Sequence, residues 1–228
     1  MKRDKRVVAL GVLGFAALGG LLVSTHASAV DVRGTVKGGA SKATAVETVR
    51  GPYWREWNGF IEPKKASADL AREVAVVLIG AESMKDAVTV ALQDGTLSPS
   101  TIVVQKGSAL RLRNDDDFTH QLYAERLNQF DAVETSAGQA RQLQIDEEGS
   151  FPVFDRLAPH VRGYLHVLPK VSRIANPQSD GTFKFENVSP GSYTLKVFRG
   201  GSEVSSTTLE IPDKRDFVVD PISVDNGK

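Results

Sequence analysis

The chemistry open to this chain rests on few side chains: it has four histidines and no cysteine among 228 residues. His26 lies in an apolar leader, which leaves His120, His160 and His166. His120 follows Asp115-Asp116-Asp117, and an imidazole beside carboxylates is a donor set for a cation. The competing reading is an acidic corner that ends a strand and carries one leftover histidine, and it weighs more. His166 alternates with Tyr164, so the two share one strand face. With His120 and His160 it could build a surface copper(II) or zinc site, though no spacing demands one. Asp155 with His160 could form an acid–base pair. No Gly-x-Ser-x-Gly, His-Glu-x-x-His or phosphate-loop pattern is present, so no enzyme activity is expected.

The elements that must position His120 are strands. Ile102, Val103 and Val104 form a β-branched run, Lys106-Gly107 is a turn signal, and Leu110 and Leu112 alternate with Arg111 and Arg113. Asn114 to Asp117 stop that strand, and Phe118 to Tyr123 begin another. This order of strand, Gly turn, strand, Asn-Asp corner and His resembles the cupredoxin family, the plastocyanin-like copper proteins. The resemblance runs on through Phe130-Asp131, Gly149 to Val153 and Pro159 to Val167. It implies a barrel-like β-sandwich over 93–168 and a copper site with two His, one Cys and one Met. Here the Cys position carries Asp155, the second His position Ala158 and the Met position Val161, while Pro159, Gly163 and Val167 match. Of the implied ligands only His120 remains, as a remnant of a metal site. Without a thiolate a type 1 copper centre is impossible, and no cofactor is expected.

The flanks are also β-rich. Val32 to Val36, Glu73 to Gly80 and Ala87 to Leu92 read as strands, and Ala66 to Arg72 as a helical turn or two with Ser67 as N-cap. After Leu168, Asp180-Gly181 reads as a hairpin turn, Phe183 and Phe185 alternate with Lys184 and Glu186, and Pro190-Gly191 precedes Tyr193, Leu195 and Val197. Ser206 to Ile211 and Asp216 to Ser223 are expected as final strands. Residues 179–197 are similar to the carboxypeptidase-regulatory-like, or transthyretin-like, β-sandwich module. The expected fold class is therefore all-β, with two Greek-key β-sandwiches after a signal segment. Residues 30–92 and 169–228 would together make the second module, interrupted by 93–168, because neither flank alone has enough strands. The alternative is two sequential domains, 30–92 and 93–228.

Residues 1–29 read as a signal peptide: Lys2, Arg3, Lys5 and Arg6 precede the apolar Val7 to Val23, and Ala27-Ser28-Ala29 is a small-x-small cleavage site. A retained N-terminal anchor is the alternative. Removing that segment takes away four basic residues and one acidic one and leaves a net charge of −3, which argues against a nucleic-acid partner. Absence of cysteine means an exported core without disulfides. A periplasmic or secreted location in a bacterial envelope follows, with membrane attachment only if the leader is retained. Tyr53-Trp-Arg-Glu-Trp-Asn-Gly-Phe60 holds both tryptophans. Tyr53, Trp54, Arg55, Trp57 and Phe60 suit a contact surface, and equally a plug over an open sandwich end. The leading expectation is a non-enzymatic binding or assembly module whose partner is an envelope protein or polysaccharide. The alternatives are copper handling or electron transfer, and carbohydrate binding.

Overall fold

The computed structural model describes residues 29–38, 69–84 and 86–225. Most of the leader, Tyr53 to Phe60 and the expected N-cap Ser67 lie outside the described residues.

In chain order the elements are β1 (Val30–Lys37), α1 (Leu70–Glu73), β2 (Val74–Ile79), β3 (Val88–Gln93), β4 (Thr96–Ser98), β5 (Thr101–Gln105), β6 (Ala109–Asn114), β7 (Leu122–Ala124) and β8 (Ala140–Gln144). Then come β9 (Gly149–Asp155), β10 (Arg162–Leu168), β11 (Arg173–Ala175), β12 (Thr182–Val188), β13 (Gly191–Arg199), β14 (Ser202–Ile211), β15 (Asp216–Val218) and β16 (Ile222–Ser223). The helical turn α1 is capped by Asp69, whose carboxylate accepts the Arg72 amide at 3.3 Å. Its carbonyls at Arg72 and Glu73 are consumed by Ser100 and Thr101 rather than by a further turn.

Two four-stranded sheets, β4-β3-β6-β8 and β5-β10-β9-β7, make an inner unit. Alternation decides which side chains meet: Leu110 and Leu112 of β6 point inward while Arg111 and Arg113 point out. They join Val90, Leu92, Ile102, Val104, Phe130, Val153 and Leu165 in one core drawn wholly from this unit. β3 pairs in parallel with β6, and β5 in parallel with β10. This corrects the expected boundary at residue 93. β3 belongs by hydrogen bonding to the inner unit, because its inward Val90 and Leu92 find their apolar partners there.

The flanks build two further four-stranded sheets. One runs β12-β1-β15 with β16 also on β1, and the other β11-β2-β13-β14. Each mixes strands from before and after the inner unit. Val32, Val36, Val74, Val76, Leu78, Phe183, Phe185, Leu195 and Val197 share a second core. Phe183 and Phe185 point into it while Lys184 and Glu186 are exposed, as the alternation requires. Asp180-Gly181, however, does not close a hairpin. β11 pairs with β2 and β12 with β1, so the turn hands the chain from one sheet to the other. Gly34 of β1 sits opposite Phe183, and a Cβ there would lie 2.4 Å from the ring.

Ala75, Val77, Val103, Val171 and Phe198 form a third, small cluster where the two units meet. Polar ties surround it. The Thr101 hydroxyl donates to the Glu73 carbonyl at 2.6 Å and accepts the Gly200 amide at 2.9 Å, and Arg199 pairs with Glu73 at 3.0 Å.

Candidate functional site: a buried carboxylate–imidazole–carboxylate array

Asn114 ends β6 and organises the corner after it. Its side-chain amide donates to the carbonyls of Phe118 and Thr135, and its carbonyl oxygen accepts the Asp116 amide at 3.0 Å. That turns Asp116 inward. Asp115 turns outward instead, and Arg113 clasps it at 2.7 Å through two guanidinium nitrogens. Asp117 is exposed. The acidic run is therefore split three ways, and of its three carboxylates only Asp116 reaches His120.

His120 is fully buried, and its backbone exchanges two hydrogen bonds with Thr135. Its ring Nδ1 lies 2.7 Å from Asp155 Oδ2, and its Nε2 lies 3.0 Å from Asp116 Oδ2. Both ring nitrogens can donate at once only in the imidazolium form. The carboxylates are held in turn by the backbone. Asp155 Oδ1 accepts the amides of Leu157 at 2.7 Å and Ala158 at 2.9 Å, and Asp116 Oδ2 accepts that of Gly95 at 3.0 Å. The Phe118 ring leans on the imidazole, centroids 4.4 Å apart.

The expected acid–base pair of Asp155 with His160 does not form. Asp155 is committed to His120, while His160 is exposed beside the Gly95 turn. Nor do the three histidines converge. Tyr164 and His166 do share a face, and that face meets the other unit. Tyr164 packs on Gly200 and Gly201, and His166 sits against Phe198, centroids 4.5 Å apart. The Ser150 hydroxyl donates to His166 Nδ1 at 2.7 Å, and Nε2–H donates to the Gly200 carbonyl at 2.7 Å. Burial holds the His166 pKa below its ordinary value, opposed by the Gly200 hydrogen bond and by nearby Glu203. That favours the neutral ring with its hydrogen on Nε2.

The residues do not fit a type 1 copper centre, whose donors are two His nitrogens and a thiolate. Asp155 supplies hard oxygen, and Ala158 and Val161, 5% and 1% exposed, have no donor atoms. The two carboxylates approach opposite edges of one imidazole ring, so they cannot share a metal ion with it. Among the described residues no group of three or more His, Cys, Asp or Glu side chains is arranged to hold one.

Residues 67–167 match the family model of the cupredoxin-like domain. The match begins before β2, whose pairing is with the flank strands. Solved structures similar to this chain include an amicyanin, a purple cupredoxin and a copper-containing nitrite reductase. Amicyanin from Paracoccus versutus is 22% identical, with 36% of this chain and 81% of that chain covered and a TM-score of 0.33. A purple cupredoxin from Nitrosopumilus maritimus is 18% identical, with coverages of 35% and 98% and a TM-score of 0.32. A copper-containing nitrite reductase from Thermus scotoductus SA-01 is 17% identical, with coverages of 39% and 24% and a TM-score of 0.34. No curated protein matches. The family match defines the class: the chain carries a cupredoxin-like β-sandwich domain within an all-β architecture.

The pairing of Asp155 with His120 had one sequence signal, a carboxylate standing at the family's thiolate position. The part of Asp116 had a weaker one, its place four residues before His120. Nothing in the pattern pointed to the inter-unit role of His166.

Proposed function

We propose that this chain is a non-enzymatic exported envelope protein, a binding or assembly module whose copper site is degenerate. One observation carries the reading: the surviving ligand, His120, is clamped between Asp116 and Asp155 while the other ligand positions carry Asp155, Ala158 and Val161. Contacts rather than electrons are then the use left to this end of the domain. Phe118, Val133 and Leu157 are 46%, 53% and 53% exposed. Each stands two residues from His120, from its bridge partner Thr135 or from Asp155. These exposed apolar side chains beside the array are proposed as the contact. The aromatic stretch Tyr53, Trp54, Arg55, Trp57 and Phe60 is proposed as a further contact. The flank unit is proposed as carboxypeptidase-regulatory-like, supported by the inward Phe183 and Phe185 and the Pro190-Gly191 turn.

The location is proposed as the periplasm or the exterior, on the strength of the leader. Among the described residues no helix is long and apolar enough to cross a membrane. N-terminal sequencing from the native host should find Val30 first. An envelope pull-down with the full chain should recover a partner that Val133→Asp with Leu157→Asp loses at unchanged melting temperature. A partner retained by that double variant rejects the apolar end as the contact. Retention on envelope polysaccharide, insensitive to the same variant, supports carbohydrate binding instead.

Copper handling or electron transfer is the second reading, favoured by the family match itself. Stoichiometric copper in protein purified from its host would establish it. The degenerate reading expects neither bound copper nor intense thiolate-to-copper colour after loading.

A further inference from the structure

We propose that the buried Asp116–His120–Asp155 array is a metal-independent interlock that closes this end of the inner unit. The proposal rests on the degenerate-site reading and adds what the remaining side chains do.

The array ties together segments distant in the chain. Gly95, in the turn between β3 and β4, donates its amide to Asp116. Asp116 and His120 lie in the connection from β6 to β7, which Asn114 stitches to Thr135. Asp155 ends β9 and accepts the amides that open the loop to β10. His120 stands at the crossing of these segments with one carboxylate on each ring edge. Its burial leaves no water to compete, and its backbone is pinned to Thr135 in both directions. Four loops at one end of a sandwich need a cross-link, because loop backbone has no ladder of its own to satisfy it. Here charge-assisted hydrogen bonds supply it. The same contacts leave no lone pair on His120 directed at open space, so a metal could enter only by displacing a buried carboxylate.

The geometry also sets how the array fails. Removing one partner leaves a charged or polar group buried without its complement, the costly way to break such a set. Replacing two partners together costs less than the sum of the single losses, because the second removal breaks a contact already gone.

The test uses the full chain. Thermal melting of the unmodified protein should be the same in EDTA and in excess Cu(II). His120→Gln and Asp155→Asn should each lower the Tm by about 10 °C, and the double variant should fall clearly short of their sum. Should the variants not fold, amide hydrogen exchange on the unmodified protein in EDTA decides the matter. The amides of Gly95, Leu157 and Ala158 should be protected as strongly as those of Val153 and Leu165 in the sheet. Strictly additive variant losses, or loop-like exchange at those three amides, overturn the interlock while leaving the degenerate-site reading intact. A rise in Tm with Cu(II), accompanied by stoichiometric uptake, overturns both.

Discussion

His120 and His166 are both buried, yet their surroundings push them toward different chemistry. His120 meets a carboxylate at each ring nitrogen, whereas His166 meets one hydroxyl and one backbone carbonyl, neither charged. Desolvation therefore dominates at His166 and lowers its pKa. The consequence for stability has a definite sign. With the folded value below the unfolded one of about 6.5, the unfolded chain takes up the proton first as pH falls. The contribution of His166 is thus whole above that pH and is lost on acidification toward its folded value. Melts from pH 8 to pH 5 should fall less steeply in His166→Gln than in the unmodified protein. Equal slopes would show that His166 titrates alike in both states. Neither environment was legible from one sequence. Alternation tells which face a histidine occupies, but not which loop arrives from thirty or more residues away to meet it. Asp155 was visible through the role the resemblance gave its position and through a pairing with His160, and neither named His120 as its partner.

At the scale of elements, the strands themselves were legible wherever a half-buried face imposed alternation, as in β6 and β12. Pairing was not, because the same alternation fits any neighbour that offers an apolar face. β3 was expected with the flanks and hydrogen-bonds to β6. The Asp180-Gly181 turn was expected to close a hairpin and instead crosses between sheets. Close approach is a second property that pattern alone conceals. Gly34 has ordinary strand backbone, so alanine there would be expected to help the strand by relieving glycine's entropy cost. Its neighbour across the pair decides otherwise. The Phe183 ring lies over Gly34 and must move to admit a methyl group. Gly34→Ala should destabilise the protein by ~1–3 kcal/mol through overpacking, read from urea denaturation. Combining it with Phe183→Leu should recover part of that loss, since the two substitutions act on one contact. A neutral Gly34→Ala would mean that the ring has room to turn aside.

At the scale of the whole molecule, the two units differ in what each can do alone. The core of the inner unit is drawn entirely from residues 90–167. In the flank unit no sheet is complete on one side of the insertion. β12 depends on β1, and β13 lies between β14 and β2. Compositional reading suggested such an interruption from the shortage of strands in either flank, but it could not specify which strands cross over. The join itself left no trace in the sequence, because its apolar cluster reads as ordinary strand core and its polar ties are single groups. The Met84 amide donates to the Val171 carbonyl at 2.6 Å, and Gln105 Oε1 accepts both the Val171 amide at 2.9 Å and the Ser83 hydroxyl at 2.8 Å. These bonds draw the chain's entry into the inner unit and its exit together. A fragment of residues 86–169 keeps its whole core and loses what the junction supplies: the cover over Val103, the Phe198 packing and Gly200 hydrogen bond of His166, and the Glu73 and Gly200 bonds of Thr101. It should therefore still melt cooperatively, at a lower temperature than the full chain. A fragment of residues 170–228 keeps β13 paired with β14 but exposes the edges and apolar faces that β1 and β2 cover. Loss of those valines forfeits several side chains' worth of burial at roughly 1.5–3 kcal/mol each, more than a unit of this size has in reserve. That fragment should show no cooperative melt and should pair with itself or aggregate through its open strands. A sharp, concentration-independent transition from residues 170–228 alone would show that the flank strands form a self-sufficient domain and that the mixed sheets are not what holds them.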